Sequence, residues 1–325
     1  MRGVIIFVAI IALSTVLSLV FGEVHLGLDA LWQGLWGGDG PGALTIRIIR
    51  GPRVAVALGA GAVLGLSGAI FQMLLRNPLA SPDVMGFTAG AGLAVMASIA
   101  AGSMLPMPLV AAAGGLAAAL LVAMVTYRPG QSVAPLTFIL VGLGVGYTTA
   151  ALGAFLMTRL PGPEAAEAQR WFAGSLAARD WSHALQVWGI GAGLAVALAL
   201  QIRALELLEL GNDLAAGLGL KIDIARWSLA GTGVLLAATG VAVAGPIPFV
   251  ALMAAPLGAR LADAHGIAGR LAAAAAAGAI ITILADLCAR SALPGLQLPI
   301  GIMTGILGAP YLLWRLSREM ERGEL

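Results

Sequence analysis

Long apolar runs, each interrupted by a short polar or proline-containing stretch, follow one another along almost the whole chain. A membrane-spanning helix needs roughly 20 mostly apolar residues, and the uncharged runs reach that length repeatedly. Because proline ends helices, Pro106 and Pro108 divide the stretch 84–127, and Pro246 and Pro248 divide the stretch 227–259. The pattern predicts about ten segments, one of them short: 3–22, 54–75, 85–104, 109–127, 134–158, 182–202, 227–245, 249–260, 270–290 and 300–316.

Composition leads to the same class of protein. Of the 325 residues, 60% are hydrophobic and 10% are charged, whereas soluble globular proteins carry about 25% charged residues. An ordinary soluble enzyme, a disordered chain and a nucleic-acid-binding protein are therefore excluded. The predicted fold is an all-α, polytopic integral membrane bundle in which residues 1–325 form a single transmembrane domain.

The few charged residues indicate how the bundle is oriented. If the N-terminus lies in the cytoplasm, most Arg residues and Lys221 fall at cytoplasmic ends of segments, as membrane proteins prefer. An even number of segments then places both termini in the cytoplasm. The most polar interior stretch, residues 203–226, becomes a cytoplasmic loop between the sixth and seventh segments.

Several kinds of chemistry have no sequence signal. There is no phosphate-binding G-x-x-x-x-G-K-[ST] loop, and Cys288 is the single cysteine. We therefore expect no catalytic residue, metal site or cofactor in this chain. Asp286 is the main acid within an apolar segment, where an ionisable residue is by default a functional candidate. One interpretation is a proton-coupled secondary transporter that uses Asp286, and the other is a structural carboxylate paired with Arg290.

Pairs of glycines four residues apart recur within the segments and predict close helix packing. They are Gly61 and Gly65, Gly86 and Gly90, Gly142 and Gly146, Gly189 and Gly193, and Gly301 and Gly305. Packing within one subunit is the simpler interpretation, and some pairs are alternatively suited to a subunit interface.

An ordered set of short motifs carries more specific information. In chain order they are Arg50-Gly-Pro-Arg53, Arg76-Asn-Pro-Leu-Ala-Ser-Pro-Asp83, Trp171-Phe-Ala-Gly-Ser-Leu176, Leu207-Leu-Glu-Leu-Gly211, Ala244-Gly-Pro-Ile-Pro-Phe249 and Leu298-Pro-Ile-Gly301. With them, the chain resembles the FecCD family of ABC importer permeases, which take up ferric siderophores, haem and cobalamin. The stretch 77–86 is most similar to permeases for ferric catecholate siderophores of the enterobactin type.

The resemblance implies a type II importer permease in the bacterial inner membrane that moves an iron chelate inward by alternating access. A haem or cobalamin permease is the alternative within the family. The implied partners are a second permease subunit, two ATPase subunits that bind ATP, a periplasmic substrate-binding protein and membrane lipid. For the two permease subunits, a heterodimer is favoured over a homodimer. No nucleic acid is expected as a partner.

The resemblance also implies roles for individual residues. Arg50, Arg53 and Arg290 match positions that dock acidic side chains of the binding protein. The loop 203–226 resembles the segment that couples to the ATPase. Its candidate coupling residues are Glu206, Glu209, Leu210, Gly211, Asp213, Ala215, Ala216, Leu218 and Gly219.

The translocation path is the least defined part of the resemblance. Its candidates are Gln72, Met73, Asn77 and Thr304. One departure from the family lies at Pro256, where a Pro-His pair is usual and this chain has Pro256-Leu257 before Arg260. The role of that histidine therefore cannot be transferred to this chain.

Overall fold

The computed structural model describes residues 2–22, 25–37, 40–83, 85–127, 135–292 and 297–322. The regular elements within these ranges are all helical. They are α1 Arg2–Val20, α2 Leu28–Trp36, α3 Pro41–Leu44, a π-helix Thr45–Arg50, α4 Gly51–Leu75, α5 Phe87–Ala100, α6 Met107–Thr126, α7 Pro135–Met157, α8 Gly162–Phe172, α9 Trp181–Glu209, α10 Asn212–Gly217, α11 Ile222–Ala244, α12 Val250–Ala262, α13 Gly266–Ser291 and α14 Ile300–Arg322.

Helix α4 lies at the centre of the bundle. It packs against α13, α11, α12 and α9. In its most apolar stretch 78% of the residues are buried within the chain, whereas only 11% are buried in α7. The pattern places α4 in the protein interior and leaves most of α7 for lipid or for another subunit.

Small residues allow α4 to approach its neighbours at backbone distance. A Cβ atom added at Gly65 would lie 2.2 Å from the carbonyl oxygen of Ala274 in α13, and one added at Gly68 would lie 1.8 Å from that of Ala251 in α12. On the facing helix, a Cβ atom at Gly278 would lie 2.1 Å from the Gly61 carbonyl oxygen. Since lipid offers no hydrophobic drive between helices, such close contact supplies the dispersion energy that holds them together.

Helices α5, α6 and α7 pack on one another beside this centre. The backbone of Gly86, at φ +79°, rests against Gly142 and Gly146 of α7. A side chain at position 86 would be strained by this φ and would also collide with α7. The predicted pair Gly142 and Gly146 therefore serves packing inside the chain, whereas the predicted pair Gly189 and Gly193 faces open space.

Helix α5 is shorter than the predicted segment 85–104, α12 is the predicted short segment, and other elements were not predicted. Seven described stretches are long and apolar enough to cross a membrane, and α5 and α12 are shorter apolar helices. Helix α14 carries Arg315 and Arg318 in its second half, so the predicted number of segments is approximate. The unpredicted elements are α2, α3, the π-helix and α8.

The start of α1 and the second half of α14 lie at the same end of the bundle. A Cβ atom at Gly3, near the start of α1, would meet the backbone of Ala262 at the end of α12. The guanidinium of Arg260 in α12 lies 5.0 Å from the ring centre of Trp314 in α14. We call this the inner end, because the polar stretch near residue 209 lies there too, and the opposite end the outer end.

The close contact between α4 and α13 gives a first prediction. Gly278→Ala places a methyl group against the Gly61 carbonyl oxygen, and overpacking of this kind costs about 1–3 kcal/mol. We expect a lower thermal unfolding midpoint for the purified protein in detergent. In the control Gly231→Ala, the new methyl group meets no atom within 4 Å, and stability should hold or rise because alanine favours helix. Equal midpoints for both variants would contradict the central role of this contact.

Candidate functional site

The three arginines predicted to dock a binding protein meet at the outer end around one buried acid. Arg53 forms a two-pronged contact with Asp286, with Nε 3.0 Å and Nη2 2.8 Å from Oδ1. Arg290, one helical turn beyond Asp286 in α13, has its Nε 3.1 Å from Oδ2. The side chain of Asp286 is only 1% exposed. We call Arg50, Arg53, Asp286 and Arg290 the outer cluster.

The same cluster holds the end of α1. Arg50 Nη1 donates to the carbonyls of Leu19 and Val20 at 2.7 and 2.8 Å. Arg290 Nη2 donates to the Ser18 carbonyl at 2.9 Å and to its hydroxyl at 2.6 Å. The last carbonyls of a helix lack partners within the helix and attract cations. The two guanidiniums therefore cap α1 and attach it to α4 and α13.

The geometry decides between the two interpretations of Asp286. Guanidiniums contact both carboxylate oxygens of Asp286, with Arg53 on Oδ1 and Oδ2 and Arg290 on Oδ2. Asp286 is thus the structural carboxylate paired with Arg290, with Arg53 as an additional partner. Docking by Arg50, Arg53 and Arg290 stays a prediction, and in this structure Arg50 and Arg290 are each 6% exposed.

The predicted coupling loop is smaller than residues 203–226. Residues up to Glu209 continue α9, and α11 begins at Ile222, so Glu206 lies on the last turns of a helix. The non-helical backbone at Gly211, φ +108°, and Gly219, φ +87°, isolates the short helix α10 between them. Arg226 Nη2 donates to Asn212 Oδ1 at 3.0 Å, which fixes the start of α10 to α11.

Helix α10 and its flanking turns present an apolar surface at the inner end. Leu210 is 55% exposed and Leu214 and Leu218 are each 62% exposed, and Ala216 and Asp213 are exposed beside them. Ala215, in contrast, is fully buried, and its role in coupling stays a prediction. Glu209 is paired with Arg270. We call Leu210, Leu214 and Leu218 the α10 surface.

Three of the four predicted path residues line one cavity at the inner end. Gln72, Met73 and Asn77 border a cavity of about 810 Å³ between α4, α9, α12, α13 and α14. Gln72 Nε2 also donates to the Leu252 carbonyl at 2.9 Å, and Asn77 Oδ1 accepts from the Leu79 backbone N–H at 2.8 Å. Thr304 is fully buried and donates to the Gly301 carbonyl. It does not line this cavity, and its role in the path stays a prediction.

The cavity contains a set of residues that sequence reasoning did not bring together. Four arginines line it: Arg76, Arg260, Arg270 and Arg315. They lie on or directly after four helices that are distant in sequence, so only the order of the helices in space places them side by side. We call this space the inner cavity.

A second, mostly apolar groove runs beside α7 and includes one acid. It is about 620 Å³ and borders Asp83, Tyr147, Phe249 and Leu312. Thr88 Oγ1 donates to Asp83 Oδ1 at 2.6 Å. Burial raises the pKa of Asp83, and the Thr88 hydrogen bond opposes this shift. Asp83 is part of the 76–83 motif, and its position in a groove was not foreseen.

Three of the sequence motifs form one backbone junction. The Ser175 N–H donates to the Ala244 carbonyl at 2.9 Å, and the Gly301 N–H donates to the Ala173 carbonyl at 3.1 Å. A Cβ atom at Gly174, where φ is +67°, would lie 2.2 Å from the Pro246 carbonyl oxygen. The junction joins the end of α11 and the start of α14 to the segment that follows α8, and it explains why glycine and proline recur in these motifs.

Neutralising the acid of the outer cluster gives a second prediction. Asp286→Asn leaves two buried guanidiniums without their carboxylate, and breaking a buried ion pair costs about 3–5 kcal/mol. We expect a marked fall in the thermal unfolding midpoint in detergent. Asp180→Asn serves as the control, since Asp180 is exposed and caps α9 through the Ser182 and His183 N–H groups; asparagine caps a helix about as well as aspartate, so this variant should change the midpoint little. A smaller loss for Asp286→Asn than for Asp180→Asn would contradict the capping role of the cluster.

Comparisons with known proteins identify the fold and its family. The sequence profile of the FecCD transport family matches residues 8–318. The ferric enterobactin transport system permease protein FepG of Escherichia coli (strain K12) is 36% identical, over 93% of this chain and 91% of its own length. The Fe(3+)-citrate import system permease protein YfmE of Bacillus subtilis (strain 168) is also 36% identical, over 98% of this chain and 96% of its own length.

A solved structure agrees with these relatives. It is an inward-facing conformation of a metal-chelate type ABC transporter, which matches this chain with a TM-score of 0.84 at 26% identity. The match covers 96% of this chain and 97% of the other. With its ordered motifs, its helical bundle and these matches, the chain belongs to the FecCD transport family.

Proposed function

We propose that this chain is a transmembrane permease subunit of an ABC importer that moves an iron chelate from the periplasm to the cytoplasm. The observation that carries the proposal is the α10 surface. Three exposed leucines lie beyond the ends of α9 and α11, among charged residues rather than along a lipid-facing span. Such a short apolar helix suits a groove on another protein.

The proposed partner at the α10 surface is a cytoplasmic ATPase subunit. Motion of the ATPase is transmitted through α10 to α9 and α11, which directly flank it, while Arg226 and Asn212 keep α10 attached to α11. ATP binds to the ATPase chains, and no covalent step takes place in this chain. Lys221, Arg226 and Arg270 lie at this end, so the positive-inside preference favours a cytoplasmic location for it.

The proposed assembly contains further partners. A second permease subunit, related rather than identical, completes the path; the sparsely buried helix α7 leaves a face for it. The protein lies in the inner membrane with both termini in the cytoplasm. Relatives named for ferric enterobactin and Fe(3+)-citrate transport support an iron chelate as cargo. The inner cavity and the inward-facing neighbour support an inward-open conformation.

A periplasmic binding protein is proposed to dock at the outer end. Acidic side chains on that protein would share or replace the acceptors now used by Arg50 and Arg290, which are the α1 carbonyls and Asp286. Bidentate carboxylate contacts suit arginine. Docking would therefore change the contacts that attach α1 to α4 and α13.

Energy coupling through the α10 surface gives a third prediction. Leu214→Asp places a charge in the proposed apolar contact and should abolish ATP-driven uptake of the chelate into proteoliposomes that contain the assembled transporter. Leu105→Asp is the control, because Leu105 is 63% exposed against 62% for Leu214 and lies in the loop between α5 and α6. Full uptake with Leu214→Asp would refute the coupling role.

The wild-type complex tests the class of transporter. Chelate uptake that is driven by a proton gradient without ATP would refute the assignment to the ABC importers.

Docking at the outer cluster gives a fourth prediction. Arg50→Gln with Arg290→Gln should weaken stimulation of the ATPase by the binding protein by at least tenfold in apparent affinity, since loss of a buried charged contact costs about 2–5 kcal/mol. ATPase activity without the binding protein should persist. Arg47→Gln is the control, because the Arg47 side chain bonds the Gly34 carbonyl instead. Unchanged stimulation in a folded double variant would show that docking uses other residues.

A further inference from the structure

A narrow groove at the inner end shares no lining residue with the inner cavity. It lies between the end of α4, the start of α7 and the start of α11, and its volume is about 70 Å³. Sites for drug-sized molecules usually measure about 300–1,000 Å³, so this groove is too small for a bulky chelate. We call it the α11 groove. Its lining residues are Phe71, Leu74, Leu75, Phe138, Asp223, Arg226, Trp227 and Ala230.

The α11 groove is charged at one end and apolar along the rest. Asp223 and Arg226 lie on the first two turns of α11, and Ala230 lies deeper in the bundle. At a rise of about 1.5 Å per residue, Asp223 and Ala230 lie about 10 Å apart along the axis of α11. Helix α4 ends at the same level with Leu75, directly before Arg76. The groove therefore runs from the polar rim of the inner end into the apolar part of the bundle.

Aromatic rings form much of the apolar part. The ring centres of Phe138 and Trp227 lie 6.4 Å apart in an edge arrangement, and Phe71 is only 1% exposed. Tryptophan is enriched where a membrane protein passes from lipid tails to headgroups, because its ring is apolar and its N–H is polar. Trp227 directly follows Arg226 in the sequence, so it marks the level at which the groove changes from polar to apolar.

The charged end of the groove presents two opposite charges side by side. Asp223 and Arg226 are three residues apart, which places them on the same side of α11. Within the part of the chain that the structure describes, they form no ion pair with each other. Asp223 is exposed, and Arg226 donates to Asn212 Oδ1, a neutral acceptor that leaves the positive charge uncancelled. The two groups can therefore contact a ligand that carries both charges.

We propose that the α11 groove binds a phospholipid with an ethanolamine headgroup. Its phosphate contacts Arg226, and its ammonium group contacts Asp223. One acyl chain lies along Trp227, Phe138 and Phe71. A choline headgroup offers no N–H donor to the aspartate, and a glycerol headgroup offers no positive charge, so both fit less well. Because Arg226 also holds the start of α10, the bound lipid lies beside the attachment of α10 to α11.

Lipid binding to the purified protein in detergent tests this site. The protein is stripped of lipid, and native mass spectra are recorded during titration with three synthetic phospholipids. These lipids have identical acyl chains and carry an ethanolamine, a choline or a glycerol headgroup. We expect the ethanolamine lipid to bind about two- to fivefold more tightly than the choline lipid, which is the contribution of an exposed ion pair.

A variant at the charged end connects the headgroup preference to one side chain. Asp223→Asn should lower the affinity for the ethanolamine lipid to that for the choline lipid, while the affinity for the choline lipid stays unchanged. Asp213→Asn is the matched control, since Asp213 is also an exposed acid at the inner end but does not line the groove. The preference for ethanolamine should persist in this control.

A variant at the apolar end tests the place of the acyl chain. Ala230→Leu fills the groove and should weaken binding of the ethanolamine and choline lipids about tenfold, because the added carbons overpack the space. Ala199→Leu is the control, since Ala199 is exposed on α9 and lies outside the groove. Thermal unfolding midpoints show whether each variant has folded. If Ala230→Leu does not fold, the comparison of Asp223→Asn with its control decides alone.

Three results would overturn the proposal. Equal binding of the ethanolamine and choline lipids by the wild-type protein would remove the role of Asp223. Tighter binding of the glycerol lipid would assign the groove to anionic lipid. Unchanged affinities in folded Ala230→Leu would place the lipid elsewhere on the protein. None of these measurements involves a chelate or ATP, so the proposed function is judged separately by ATP-driven uptake.

Discussion

The structure depends on how closely α4 approaches α13 and α12. In a lipid environment apolar side chains gain nothing by turning inward, so helices associate through close packing. Gly61, Gly65 and Gly68 remove side-chain bulk from the two faces of α4 that meet its neighbours. Without these contacts the helices would separate by the width of a side chain, and the sites at both ends of α4 would lose their geometry.

Helix α4 connects the two ends of the molecule. Its first turn carries Arg53, which belongs to the outer cluster, and its last turn carries Gln72 and Met73, which line the inner cavity. Helix α13 runs beside it in the opposite direction, from Arg270 at the cavity to Arg290 at the cluster. A closely packed pair of helices moves as a unit, so a shift at one end displaces side chains at the other.

The apolar segments were predictable because a helix that crosses the lipid bilayer needs about 20 mostly apolar residues in a row. The predicted segment 54–75 became Gly51–Leu75, and 109–127 became Met107–Thr126. The rule fails where helices leave the apolar layer: α9 continues to Glu209 because helical backbone needs no apolar surroundings, and Arg203 there pairs with Glu206 at 3.6 Å. The π-helix was not predicted because one of its stabilising contacts comes from a residue distant in sequence. The Trp181 indole N–H donates to the Arg47 carbonyl oxygen at 2.9 Å, and no local pattern reveals this contact.

The candidate sites were predictable only where a motif is contiguous. Arg50 and Arg53 lie three residues apart, and α10 lies between two glycines, so a local pattern marks both regions. The arginines of the inner cavity come from α4, α12, α13 and α14, and no local pattern connects them. Their proximity follows from the path of the chain through the bundle, which the sequence pattern alone does not specify.

The two arginine clusters differ in the partners that their guanidiniums contact. In the outer cluster Arg53 and Arg290 contact Asp286, and Arg50 and Arg290 contact the carbonyls that end α1. These contacts satisfy charge and backbone together, so the cluster is part of the framework. In the inner cavity Arg270 is paired with the Glu209 carboxylate, while Arg76 contacts a neutral carbonyl and Arg260 contacts an aromatic ring. Neutral groups therefore hold Arg76 and Arg260 in place at the inner end, whereas a carboxylate and helix-end carbonyls together hold the arginines of the outer cluster.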